Sequence, residues 1–291
     1  MEDPKVHGIR ASETPFFDLP QELIWKMLYY LPPKDAIHFC LTHRGAAQII
    51  CHNNNFWFEK IWRDFGDAFE LNMEDIPVEN RIETYKKYWK ETRERLFECA
   101  IDGKVECVAS LLHIGVSPNV WLETGGIEEE TALLVVLMDY VGGENENIVR
   151  LLLEYDANPN IREDHEGWTA LMLASGKGQD DLVMLLLEHD ADPDFQDEDD
   201  MTALLHATTS NRTNIVRVLL EHDADPDYQN FDNETALMVA SEEGYTNIAR
   251  LLLEHDADPD IEGAGTMTAL QIASGFGNQD IVGLLRTASQ T

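Results

Sequence analysis

The chain has 291 residues, 44% of them apolar, and a formal net charge of −34. That length allows one or two domains, and the composition is ordinary for a soluble globular protein. A surface this acidic repels phosphate backbones and anionic lipid, which argues against nucleic-acid and membrane partners; it suits either a basic protein partner or solubility alone.

No stretch approaches the ~20 unbroken apolar residues of a membrane span. The start, Met1-Glu2-Asp3-Pro4-Lys5, is neither a basic nor an apolar leader, so a cytosolic or nuclear location is expected. Residues 1–14 are polar and without period and read as a flexible leader. From Phe16 the pattern becomes helical. Pro20 suits a first helical position, and Leu23, Ile24, Met27, Leu28 and Leu31 share one side before Pro32-Pro33 stops the helix. Further helices are predicted from about Lys34 to Leu41, from Arg44 to Cys51, and from Asn55 onward, giving a small helical module over 15–65. Residues 66–95 read as a connection whose Ile82, Tyr85, Tyr88 and Trp89 predict one helix with an apolar stripe.

From residue 96 the chain repeats itself. Thr169-Ala170-Leu171 returns from Thr202, Thr235 and Thr268, 33 residues apart each time. Asp190-Ala191-Asp192-Pro193-Asp194 returns from Asp223 and Asp256, with a looser copy at Asp156 to Asn160. Apolar helical stretches such as Leu182 to Leu187 lie between. A fixed period of this size means stacked supersecondary units, each unable to bury its apolar face alone. Gly178, Asn211, Gly244 and Gly277 are predicted to end the first helix of each unit. Asp190, Asp223 and Asp256 are predicted to take left-handed backbone at the end of the second. Six units are expected. The second is lengthened in the loop Trp121 to Glu130 and in the turn Asp139 to Asn147, which predicts an enlarged finger carrying Trp121.

These residues resemble the ankyrin repeat. Two departures stand out: Ala replaces the family's Pro, and Met172, Leu205, Met238 and Gln271 replace its His, which predicts loss of the hydrogen bond that His provides. The front segment resembles the F-box through Leu19-Pro20-Gln21-Glu22-Leu23-Ile24, Leu31, Asp35, Leu41-Thr42-His43-Arg44 and Phe56-Trp57. His43 and Gly45-Ala46 depart from that family's pattern. The expected fold is therefore all-α, an F-box module of three or four helices followed by an ankyrin solenoid with β-hairpin loops. The resemblance implies a substrate receptor of a cullin-based ubiquitin ligase, with Leu19, Pro20, Leu23, Ile24, Leu28 and Leu41 facing a Skp-type adaptor. Proteins joining the two modules resemble cellular receptors and chains abundant in large DNA viruses, where the location would be host cytoplasm. A scaffold or competitive inhibitor, with the front module as a mere cap, is the alternative.

No residue constellation points to catalysis, a cofactor or a metal. Asp-x-Asp-x-Asp superficially matches a calcium loop, but the sixth position holds Phe195, Tyr228 or Ile261 where a glycine is required. Cys40, Cys51, Cys99 and Cys107 show no C-x-x-C pair and are expected as reduced, mostly buried thiols. What remains is recognition by a monomeric chain. Finger-tip positions Trp121, Trp168, Asp199, Asp200 and Phe231, and helix-end positions Lys177, Ser210, Glu243 and Phe276, are the candidate target-binding residues. The acid bias sits in the array, with 27 acids against 6 bases over residues 161–291, and that favours a basic target with apolar anchors.

Overall fold

The computed structural model describes Leu31, Lys60, Ile61, Asp64 and residues 81–124, 128–138 and 144–288. The expected adaptor-facing residues Leu19, Pro20, Leu23, Ile24, Leu28 and Leu41 lie outside the described residues. Two compact units divide the chain, one of residues 1–99 and 106–116, the other of residues 100–105 and 117–291.

In the first unit, the helix expected over 81–95 runs on as α1, Arg81–Ile101, and is followed by α2, Val105–His113. Tyr85, Leu96 and Phe97 of α1 are buried, as are Val108, Leu111 and Leu112 of α2. A buried polar network anchors α1 to the preceding segment. Lys60 Nζ donates to the Leu31 carbonyl at 2.9 Å and pairs with Asp64 at 3.0 Å, while the Tyr85 hydroxyl donates to Asp64 at 2.6 Å. Removing Lys60 or Asp64 would leave the other's buried charge uncompensated, a large penalty. The expectation of reduced thiols fails at one pair: Cys99 and Cys107 form a disulfide, their Cα atoms 5.9 Å apart. The turn between α1 and α2 sets two residues eight apart face to face, a closeness that no C-x-x-C or zinc spacing test detects.

The second unit is a two-layer stack. Its helix pairs are α3 (Ala132–Met138) with α4 (Glu144–Glu154), α5 (Ala170–Lys177) with α6 (Asp180–Glu188), α7 (Ala203–Thr209) with α8 (Thr213–Glu221), α9 (Ala236–Glu243) with α10 (Thr246–Glu254), and α11 (Ala269–Phe276) with α12 (Gln279–Ala288). The first helix of each pair contacts the first helix of the next, and the second contacts the second. Leu171, Leu204, Leu237, Leu186, Leu219, Leu252 and Leu285 are buried, each worth about 1.5–3 kcal/mol of transfer free energy. The enlarged finger is a β-hairpin of β1 (Trp121–Thr124) and β2 (Glu128–Thr131), antiparallel with Trp121 opposite Thr131.

Local chemistry explains why each unit starts and stops where it does. Thr169, Thr202 and Thr235 adopt extended backbone and accept the N–H three residues on through their hydroxyls, satisfying a donor that the helix cannot. A fifth Thr-Ala-Leu, at Thr131, does the same for Leu134 at 3.4 Å; the long finger breaks its register and hides it from a search at fixed period. Gly178, Asn211, Gly244 and Gly277 take positive φ at the first helix ends, and Asp190, Asp223 and Asp256 do so after the second, as the sequence predicts; Asp156 does the same. The expected loss of the family's His bond is only partial. Met172 Sδ accepts from Thr169 N–H at 3.3 Å and Gln271 Oε1 from Thr268 N–H at 3.0 Å, because both side chains reach back to the cap.

The Asp-rich loops are joined to one another in a ladder. Asn119, Asn160, Asp194 and Asp227 each accept a backbone N–H of the next loop, from Asn158, Asp192, Asp225 and Asp258, at 2.7 to 3.0 Å. The side chains of Asp192, Asp225 and Asp258 close their own loops by accepting from Asp194, Asp227 and Asp260 N–H.

Candidate functional site

The fingers preceding α5, α7 and α9 are each tied shut by a single polar side chain. Asp197 Oδ1 accepts from the Asp199 and Met201 N–H groups at 3.0 and 2.8 Å. Asn230 Oδ1 accepts from Asp232 and Glu234 N–H at 3.0 and 2.8 Å. The previous finger is one residue longer, and Glu163, one methylene longer than Asp, spans it by accepting from His165, Glu166 and Trp168 N–H. Burial pushes the Glu163 carboxyl up, but the N–H groups of Trp168, His165, Glu166 and Gly167 outweigh it and hold the group below its usual range. Positive φ occurs at every tip, at Gly167, Asp200 and Asn233 and at both Gly265 and Thr266 in the last.

Neighbouring fingers are joined through their backbones. Glu198 N–H donates to the Glu166 carbonyl and Phe231 N–H to the Asp199 carbonyl, both at 3.0 Å. Three fingers thus form one continuous wall, and beneath them lies a cavity of about 590 Å³. Glu166 and Trp168 line it from the first finger, Asp197, Glu198 and Asp199 from the second, and Asn230, Phe231 and Asp232 from the third. His206 rises from α7 as the floor, its Nε2 on Asp197 Oδ2 at 2.7 Å and its ring edge-on to Trp168 with centroids 5.1 Å apart. Phe231 is 75% exposed. The trough is thus acidic at its rim and aromatic on its walls.

Of the residues predicted to meet a target, Trp168, Asp199 and Phe231 come together here, and Asp200 sits exposed at the tip of the middle finger. Lys177 is engaged elsewhere: its amine donates to the carbonyls of Leu137 and Met138, closing the end of α3 where a cation is favoured. It also borders a smaller cleft of about 350 Å³ shared with Glu130, Glu163 and Trp168. Ser210, Glu243 and Phe276 are exposed at or just past the ends of α7, α9 and α11 and do not line the trough. Trp121 opens β1. Sequence reasoning missed Glu166, Asp197, Glu198, Asn230, Asp232 and His206. The usable signal for His206 is a broken repeat, since the equivalent positions hold Leu173, Val239 and Ile272.

The sequence matches the family described as ankyrin repeats (3 copies) in overlapping stretches, residues 96–197, 178–263 and 229–290. The chain belongs to the ankyrin-repeat family. A crystal structure of an ankyrin repeat domain from Acinetobacter baumannii AYE is similar, with 25% identity and a TM-score of 0.62 over 67% of this chain and 97% of that one. No curated protein matches the sequence. No F-box match accompanies the ankyrin matches, and no enzyme family is found. Ankyrin arrays are protein-interaction modules, and the fingers and first helices described above present this array's trough.

Proposed function

We propose that this ankyrin array is the target-holding half of a substrate receptor for a cullin-based ubiquitin ligase. It holds a basic protein segment against the acidic, aromatic trough over α7, while residues 15–65 dock a Skp-type adaptor through Leu19, Pro20, Leu23, Ile24, Leu28 and Leu41. The observation that supports the target-holding part is the convergence of Trp168, Phe231 and a row of carboxylates in one cavity, a combination of apolar anchors and complementary charge suited to a basic partner. The adaptor part is supported by the Leu19-Pro20-Gln21-Glu22-Leu23-Ile24 motif ahead of the array. The receptor does no chemistry itself; proximity raises the effective concentration of target at the transfer machinery. Affinity capture of the full chain from eukaryotic lysate tests this: the adaptor is recovered, and Leu19→Ala with Pro20→Ala abolishes the recovery.

A second reading, an ankyrin scaffold or competitive inhibitor without a ligase role, is favoured by the family matches beginning only at residue 96. It predicts that the same double substitution leaves every recovered partner in place.

A further inference from the structure

We infer that the trough over α7 is an arginine pocket, taking one guanidinium of an extended basic segment between Trp168 and Phe231. This rests on reading the array as the target-holding half, and is independent of the adaptor.

Charge is the first argument. The carboxylates of Glu166, Glu198, Asp199 and Asp232 make no hydrogen bond or ion pair within the described residues. Asp197, by contrast, is fully occupied by Asp199 N–H, Met201 N–H and His206. The middle finger is therefore held by Asp197, and the wall presents four other acids whose acceptor capacity is unused. No lysine or arginine lines the cavity, so a cation brought by a partner would meet carboxylates that no neighbouring base occupies.

Shape and chemistry narrow that cation to a guanidinium. The four carboxylates border one cavity from three fingers, and a planar fork with five N–H donors can answer more than one of them where an ammonium acts as a point charge. The aromatic side chains favour the same group, because a guanidinium stacks on a ring face while its edge stays bonded. His206 holds Trp168 edge-on, at an interplanar angle of 64°. The backbone bonds between fingers keep the walls in place before any ligand arrives, which lowers the ordering cost of binding. The volume, about 590 Å³, falls within the ~300–1,000 Å³ typical of ligand pockets.

The test uses the full chain and a seven-residue acetylated peptide of alternating glycine and arginine, with citrulline and lysine versions as controls. Binding is followed by calorimetry at low salt and by the Trp168 indole N–H resonance, assigned with Trp168→Phe. The arginine peptide is expected to shift that resonance and to bind at least tenfold more tightly than the citrulline peptide and severalfold more tightly than the lysine peptide. Asp199→Asn with Asp232→Asn, both exposed and so harmless to folding, should weaken it about tenfold, and Phe231→Ala severalfold. Equal binding of the citrulline or lysine peptide overturns the assignment. So does arginine-peptide binding that neither moves Trp168 nor responds to the double substitution; that outcome places the basic segment elsewhere on the array and leaves the proposed function standing. No binding of any peptide overturns both this pocket and the basic target.

Discussion

The loop ladder is built two ways along its length. Its first two rungs are Asn119 and Asn160, whose amides accept one backbone N–H and also donate back to the carbonyls of Asp156 and Asp190 at 2.9 and 3.0 Å. Its next two rungs are Asp194 and Asp227, which accept the same N–H but have no amide to donate to the carbonyls of Asp223 and Asp256. Burial first, and the neighbouring carboxylates of Asp225, Asp192 and Asp258 in addition, push both groups above their usual range despite the N–H each accepts. The same backbone geometry is thus held by a two-way amide at one end and by a one-way charge at the other. The aspartate half gives up a hydrogen bond and places negative charge beside other carboxylates.

The largest effect should come from breaking the amide half. Asn160→Ala removes both the donor and the acceptor of one rung, and about 1–3 kcal/mol of stability should be lost, read as a lower urea midpoint. Converting the other half is the complementary test: Asp194→Asn and Asp227→Asn should each add about 0.5–1.5 kcal/mol by supplying the missing donor. A fall in the midpoint would mean that the charge itself supports the loops.

The pH dependence sharpens the contrast. Because the folded values of Asp194 and Asp227 are raised, the folded state holds these protons more tightly than the unfolded chain. The destabilisation is present in full above those folded values and disappears as pH falls towards the ordinary 3.8. The advantage of the double Asn variant should therefore be greatest at neutral pH and shrink on acidification. Glu163 has the opposite sign: its folded value is lowered, so the stability it lends is present above 4.5 and is lost as pH falls through the lowered value. Glu163→Gln should accordingly cost stability at pH 7 and progressively less in acid, as thermal midpoints across the range would record. The smallest effect is ionic. Raising salt should slow amide exchange in the aspartate loops more than in the asparagine loops, since only the former carry repulsion to screen.

Much of this was legible in advance, though unevenly. The Thr caps, the left-handed Gly, Asn and Asp positions and the buried leucines follow from residue type and period alone. The fifth cap at Thr131 escaped because the long finger displaces it, and the disulfide of Cys99 and Cys107 escaped because closeness across a turn is no sequence motif. Lys177 looked like a surface cation free for a partner, yet its amine closes the preceding unit's helix.

By itself the sequence determined the repeat, the boundaries of its helices and where the negative charge would gather, because caps, turns and apolar spacing act within a few residues of one another. Only the tertiary structure decided which carboxylates are spent and which are open. Asp197, Glu166 and Asp232 lie about one repeat apart in the chain and meet only when units stack. Whether each then faces a backbone N–H or solvent depends on finger length and side-chain direction, quantities that no period encodes.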